Sequence, residues 1–210
     1  MGPGNNGKDG LAAAQQLHTW GAYVSIFICH DNSNPDEILR HLSNQKVDIM
    51  HASEDKNFSE LKKALKHSNL VIDSVLGTGC SRPIIDPIKG IFSEVNKAKA
   101  NNSDLLVLAV DIPSGLHPDT GVMDPATMET DVTVTLGYPK IGLFTFPGAG
   151  NVGNLEIADI GIPQGMDEGS TLELMSASWA KTLSFEVAKY GITVNNILPG
   201  FTDTARLRSL

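Results

Sequence analysis

Residues 105–115 read LLVLAVDIPSG, and the architecture of the whole chain follows from them. Six consecutive apolar residues predict a strand that is buried on both faces, because a strand with one solvated face alternates apolar and polar residues. The turn after this strand carries Asp111 and Ser114. Polar side chains are therefore expected at the carboxyl end of a strand that lies inside a parallel sheet.

The rest of the chain alternates apolar runs with helical patterns. The predicted strands are Tyr23–Cys29, Val47–Met50, Leu70–Leu76, Leu105–Val110, Asp131–Leu136 and Leu155–Ile160. The predicted helices are Leu11–Trp20, Pro35–Asn44, Phe58–Lys66 and Ile84–Lys99. This order predicts an α/β fold, a Rossmann-like, doubly wound and mostly parallel sheet with helices on both faces in three αβα layers.

The character of the sequence changes after Pro163. A polar, glycine-containing linker leads to an amphipathic helix at Ser176–Lys189 and a strand-like run at Ile192–Leu198. We therefore predict one domain over residues 1–175 and a helix–strand tail over residues 176–210.

Composition narrows the classes of function. The chain has 210 residues, 41% hydrophobic residues and a formal charge of −8, which disfavours a nucleic-acid partner. We see no apolar run of about 18 residues that would span a membrane and no signal peptide. Cys29 and Cys80 are poorly placed for a disulfide, so we expect a reducing, cytoplasmic compartment.

A glycine-dense segment, GPGNNGKDG at residues 2–10, precedes the first helical pattern. Such a segment lets backbone N–H groups approach a phosphate at a helix N-terminus. Gly2–Gly7 also fits G-x-G-x-x-G, so a dinucleotide fingerprint is an alternative interpretation. A second match at Gly148–Gly153 precedes a strand rather than a helix, which indicates a tight connection.

Polar residues cluster where predicted strands end. Asn6, Asp73, Asp111 and Ser114 come from three separate segments, and the glycine loop 77–83 follows one of the strands. Because ligands of open α/β sheets bind at the carboxyl ends of strands, these residues are predicted to share one rim.

Four motifs resemble those of the NAD(P)H-hydrate epimerases, in the same order along the chain. They are GPGNNGKDG at 2–10, VIDSVLGTGCSRP at 71–83, VLAVDIPSGLHPDTG at 107–121 and GYPKIGLFTFPGAGNVGNLEIADIGIP at 137–163. The resemblance implies an isomerase that interconverts the R and S epimers of hydrated NADH and NADPH, with a potassium ion in its site.

The resemblance also implies the site residues. Contacts to the hydrated dinucleotide would come from Asn5, Asn6, Gly7, Lys8, Asp9, Gly77, Thr78, Gly79, Cys80, Ser81, Arg82, Pro83 and Asp111. The potassium ligands would be Asn6, Asp73 and Ser114, whose oxygens suit a hard cation. A mid-strand aspartate such as Asp73 could instead bond only to neighbouring backbone.

Asp111 is the candidate catalytic residue. Loss of the hydroxyl beside the ring nitrogen leaves an iminium-like carbon, and a nearby carboxylate could transfer protons as water returns from either face. Lys140 could assist this step electrostatically, or it could be a solvated lysine.

The chain departs from the family in three respects. Lys8 stands where members usually have glycine, the family's N-terminal helix and first strand are missing, and residues 176–208 resemble a short-chain dehydrogenase fragment. The tail strand could fill the vacant place in the sheet or pack loosely outside it. A homodimer is possible, and two other functions stay open. These are a non-catalytic binding module and an NAD-dependent dehydrogenase, although the Tyr-x-x-x-Lys pair of that family is absent.

Overall fold

The computed structural model describes residues 1–30, 37–79 and 82–163. Its helices are α1 (Asn5–Thr19), α2 (Glu37–Asn44), α3 (Ser59–Lys66) and α4 (Ile88–Asn101). Its strands are β1 (Ser25–Ile28), β2 (Asp48–His51), β3 (Leu70–Asp73), β4 (Leu106–Val110), β5 (Val132–Leu136) and β6 (Asn154–Ala158). Short 3-10 turns lie at Lys56–Phe58, Ile141–Phe144 and Gly148–Asn151. The α/β prediction is confirmed.

All strand pairs in the described part of the chain are parallel. β1 pairs with β2, and a four-stranded sheet runs in the order β3-β4-β5-β6. Asp73 at the end of β3 lies opposite Ala109, and Val110 lies opposite Val134. The carboxyl ends of β3, β4 and β5 therefore meet at one edge, as the crossover connections of such sheets require.

Helices cover both faces of this arrangement. On one face, Leu61 and Leu65 of α3 and Phe92 of α4 form a buried cluster with Val107. On the other, Leu11 of α1 is buried in a cluster that includes residues of β1 and α2. Alternate residues of β1 join opposite clusters, which is the side-chain pattern of a strand covered on both sides.

A gap one strand wide separates the two parts of the sheet. The amino group of Met1 donates to the carbonyl of Phe27 at 2.7 Å, and the N–H of Gly2 donates to the carbonyl of Ser74 at 3.0 Å. Since one short backbone stretch contacts both sides, β1 and the chain just after β3 lie about two strand spacings apart, roughly 9.6 Å. A cavity of about 1130 Å³ lies along this gap.

The first helix begins earlier than predicted. Asn5 to Asp9 belong to α1, although the sequence indicated a loop up to Gly10. The glycines serve close packing there: a Cβ at Gly7 would lie 1.9 Å from the carbonyl oxygen of Gly2, and one at Gly10 would lie 2.0 Å from the hydroxyl of Ser74. A glycine in a helix costs about 1 kcal/mol relative to alanine, but here no larger side chain fits.

Two other boundaries were predicted too wide. α4 begins at Ile88 rather than Ile84, because Pro87 is its N-cap and a residue before a proline is disfavoured in the helical region. β3 ends at Asp73 rather than Leu76, because the N–H of Leu76 donates to the hydroxyl of Ser114. In the second case a side chain distant in sequence takes the backbone group.

The prediction for Gly148–Gly153 is confirmed: a 3-10 turn there leads directly into β6. The predicted linker and the predicted tail at 176–210 lie outside the described residues, as do Cys80 and Ser81. Across the described ranges, the model contains no helix that is both long and apolar enough to cross a membrane.

Candidate functional site

Asp73 and Ser114 form the buried centre of the rim. The carboxylate of Asp73 accepts the hydroxyl of Ser114 at 2.6 Å and the N–H of Ser114 at 2.8 Å. The two residues are 1% and 0% exposed. The hydroxyl of Ser114 also accepts the N–H of Leu76 at 2.8 Å. Thus Asp73 bonds to a residue 41 positions away and not only to its own neighbouring backbone.

Asn6 approaches the same centre from the first turn of α1. Its side-chain amide donates to the carbonyl of Leu76 at 2.9 Å, while its side-chain oxygen is buried and has no hydrogen-bond partner among the residues that the structure describes. An unpaired buried oxygen costs about 1–3 kcal/mol. A bound cation beside this oxygen would offset that cost.

The charge of Asp73 is the main electrostatic question at this centre. Complete burial raises the pKa of Asp73, and the bonds from Ser114 oppose that rise. A cation beside the carboxylate would favour its ionised form. Asn6, Asp73 and Ser114 together provide amide, carboxylate and hydroxyl oxygens, which is the donor chemistry of a hard monovalent or divalent cation.

The donor set contains one carboxylate only. Across residues 1–30, 37–79 and 82–163, three or more His, Cys, Asp or Glu side chains do not gather in any arrangement that could hold a metal ion.

Asp111 lies directly after β4, beside this centre. Its backbone has φ of +67°, a conformation rare for residues other than glycine. Its N–H donates to the carbonyl of Val134 at 2.7 Å, and its carboxylate accepts the N–H of Leu136 at 3.0 Å. The ammonium group of Lys140 contacts the same carboxylate oxygen. Both the backbone and the side chain of Asp111 are therefore bonded to the end of β5.

Asp9 lies in α1, three residues after Asn6, and its side chain is exposed. Partial desolvation and, to a smaller extent, the negative charge of Asp111 raise the pKa of Asp9.

The other predicted contacts divide into three groups. Asn5 and Lys8 are exposed at the start of α1, and Gly77 lies against Asn6, because a Cβ at Gly77 would be 3.2 Å from that of Asn6. Thr78, Gly79, Arg82 and Pro83 belong to the described part of the loop, with no hydrogen bond to Asp73 or Asp111. Cys80 and Ser81 lie outside the described residues.

Sequence reasoning missed two residues that shape the rim. Thr135 donates its hydroxyl to Asp111 at 3.5 Å. Asp124 accepts the backbone N–H groups of Ile84 and Ala126, which ties the end of the loop 77–83 to the turn after β4. The alternation of Thr133 and Thr135 in a buried strand was the available indication for the first residue. Nothing in the local sequence indicated the second.

The chain is similar to known proteins of one family. Residues 1–142 match the family model described as YjeF-related protein N-terminus. The chain is 36% identical over 179 residues to the bifunctional NAD(P)H-hydrate repair enzyme Nnr of Thermofilum pendens, covering 82% of this chain and 33% of that protein. It is 34% identical over 160 residues to the NAD(P)H-hydrate epimerase of Limosilactobacillus fermentum, covering 75% of this chain and 71% of that protein.

A crystal structure of a yeast protein shares the fold, with a TM-score of 0.59 and 22% identity over 97% of this chain and 72% of the yeast chain. The chain spans about a third of the length of the bifunctional relatives that it matches. None of the relatives named here is a short-chain dehydrogenase, and the predicted tail resemblance stays a prediction.

Proposed function

Since the chain belongs to the family of YjeF-related N-terminal domains, we propose that it is an NAD(P)H-hydrate epimerase, an isomerase of nicotinamide nucleotide repair. The observation that carries the proposal is the rim itself: a rigidly held Asp111 stands beside a buried Asn6–Asp73–Ser114 centre at the carboxyl ends of β3 and β4. Relatives named as epimerases support it.

The reaction needs one proton given and one proton taken. The C–O bond beside the ring nitrogen breaks, the nitrogen lone pair forms a C=N bond, and the hydroxyl leaves as water after gaining a proton. Water then adds to the other face of the carbon and loses a proton. We assign both transfers to the carboxylate of Asp111, which the N–H of Leu136 and Lys140 hold at the end of β4.

The rest of the rim would hold the dinucleotide. The start of α1 (Asn5, Asn6, Gly7 and Lys8) and the loop 77–83 offer backbone N–H groups and side chains for its phosphates. Lys8, where the family usually has glycine, adds a positive charge that suits a phosphate. A potassium ion held by Asn6, Asp73 and Ser114 would supply a fixed positive charge beside the bound substrate.

The location and the assembly of the protein are also part of the proposal. We expect a reducing, cytoplasmic compartment and allow a homodimer. In the described part of the chain Cys29 is a free, buried thiol, in keeping with that compartment.

Epimerisation tests the proposal directly. Purified protein is mixed with one epimer of hydrated NADH, and the epimer ratio is followed by chromatography. We expect the Asp111→Asn variant to lower kcat by about 100-fold or more, since general acid–base groups contribute that much. Asparagine tolerates positive φ, so the variant should keep its fold. Near-normal turnover in Asp111→Asn would remove the assignment of Asp111.

A binding module is the alternative, and the same assay separates the two. The epimerase proposal would be overturned if the wild-type protein bound the hydrated dinucleotide but the epimer ratio changed no faster than it does without protein. A dehydrogenase would instead change the absorbance of bound NADH when a substrate is added.

A further inference from the structure

The two oxygens of the Asp111 carboxylate have different surroundings. Oδ1 accepts the N–H of Leu136 at 3.0 Å and the hydroxyl of Thr135 at 3.5 Å, and it contacts the ammonium group of Lys140. Oδ2 accepts no hydrogen bond from any residue that the structure describes. One oxygen is thus saturated, and the other is left for an external partner.

Lys140 is fixed as firmly as the carboxylate that it contacts. Its ammonium group also donates to the carbonyl of Leu136 at 3.1 Å and to the hydroxyl of Thr135 at 3.2 Å. Its side chain is 20% exposed, and that of Asp111 is 17% exposed. These three acceptors use all three donors of the ammonium group, so Lys140 is not the solvated lysine that the sequence allowed.

We propose that Lys140 is the positioning residue of Asp111 in the epimerase reaction: by binding Oδ1 it holds the carboxylate in one orientation and leaves Oδ2 for the substrate. The inference rests on the proposed function and deepens it, because it names the side chain that orients the carboxylate of the reaction.

The chain offers a matched control away from the rim. Lys99 contacts Oδ2 of Asp131, and the N–H of Val107 donates to the same oxygen at 2.7 Å. This pair repeats the lysine, carboxylate and backbone N–H arrangement, with side chains 17% and 32% exposed. The Lys99→Met variant therefore reports what the loss of such an ion pair does to the fold alone.

The experiment compares Lys140→Met, Lys140→Arg and Lys99→Met with the wild-type protein. Epimerisation of hydrated NADH is followed by chromatography at several substrate concentrations, which separates kcat from KM, and urea unfolding measures the stability of each variant. In Lys140→Met we expect kcat to fall about 10-fold or more with KM nearly unchanged, because a carboxylate that is not held in place transfers protons less efficiently. Arginine should restore most of kcat, and Lys99→Met should leave kcat and KM unchanged.

A Lys140→Met variant with the wild-type kcat would overturn the inference and leave the proposed function standing. An equal fall of kcat in Lys99→Met would also overturn the inference, because the effect would then belong to the fold. Wild-type protein without epimerase activity would overturn the proposed function and the inference together.

Discussion

At the scale of single residues, glycines decide how closely α1 approaches the sheet. A Cβ at Gly2 would lie 1.9 Å from the carbonyl oxygen of Val75, and one at Gly10 would lie 2.0 Å from the hydroxyl of Ser74. This close packing of α1 against the sheet places Asn6 at the Asp73–Ser114 centre. The motif at residues 2–10 is thus a packing motif as well as a candidate binding motif.

We predict that Gly10→Ala destabilises the protein by about 1–3 kcal/mol, since an added methyl group has no room between α1 and Ser74. Urea unfolding followed by circular dichroism measures this change. Gly79→Ala is the control, because nothing lies within 4 Å of a Cβ at that position. Equal stability of the two variants would contradict the close approach.

At the scale of elements, α3 depends on one side chain before its start. Asn57 and Phe58 both have positive φ, which is unfavourable for residues with side chains. The carboxylate of Asp55 accepts the N–H groups of Glu60 and Leu61 and the hydroxyl of Ser59. The first N–H groups of a helix have no partner within the helix, and Asp55 supplies an acceptor for two of them. The same bonds stabilise the strained turn at Asn57 and Phe58.

We predict that Asp55→Ala lowers the free energy of unfolding by about 1–2 kcal/mol at neutral pH, as for other lost helix caps. Burial alone would raise the pKa of Asp55, but the bonds to α3 lower it overall. Its contribution is therefore present above the unfolded pKa, about 3.9, and is lost as the pH falls through the lower folded pKa.

Urea unfolding at pH 7 and near pH 3 checks the Asp55 prediction, and the stability difference between wild type and variant should shrink at the acidic pH. The exposed Asp104→Asn variant serves as the control. A difference that stays constant with pH would show that Asp55 acts without its charge.

At the scale of the whole molecule, the gap between β1 and β3 is the least ordinary feature of the fold. The polar backbone groups of successive residues in a strand point to opposite sides. Phe27 and Ser74 accept bonds from Met1 and Gly2 in the gap, so the N–H groups of Phe27 and of Ile72, two residues before Ser74, point into the gap. The N–H groups of Val71 and Asp73 point instead toward β4, the strand that pairs with β3.

We predict fast hydrogen exchange at Phe27 and Ile72 and slow exchange at Val71, although these residues are neighbours in space or sequence. Two-dimensional NMR after transfer to heavy water measures all three amides in one sample. Strong protection of Phe27 and Ile72 would mean that a further backbone segment pairs with both strands.

The proposed potassium ion also acts on the whole molecule, because a ligand bound only by the folded state stabilises it. At a hundredfold excess over Kd the gain is about 2.7 kcal/mol. We predict a higher Tm in potassium chloride than in tetramethylammonium chloride at equal ionic strength, measured by scanning calorimetry. Asp73→Asn and Ser114→Ala should each lose this difference, whereas Asp104→Asn should keep it. A Tm that is indifferent to potassium would remove the cation from the proposal.

The sequence by itself determined the class of the fold and the residues at the strand ends. Continuous apolar runs such as Leu105–Val110 are typical of strands inside a covered parallel sheet, and such a sheet places Asp73, Asp111 and Ser114 at one edge. These are local properties of pattern and period, so they can be inferred without coordinates.

Only the tertiary structure decided how those residues are partnered. Three contacts join segments separated by 29 to 70 residues: the bond from Leu76 to Ser114, the bond from the side-chain amide of Asn6 to Leu76, and the contact of Lys140 with Asp111. Local sequence carries no record of such contacts, because each depends on how helices and strands pack. The early start of α1 also depends on packing. Glycine has a low helix preference, so the first turn of α1 is stabilised by its contacts with the sheet.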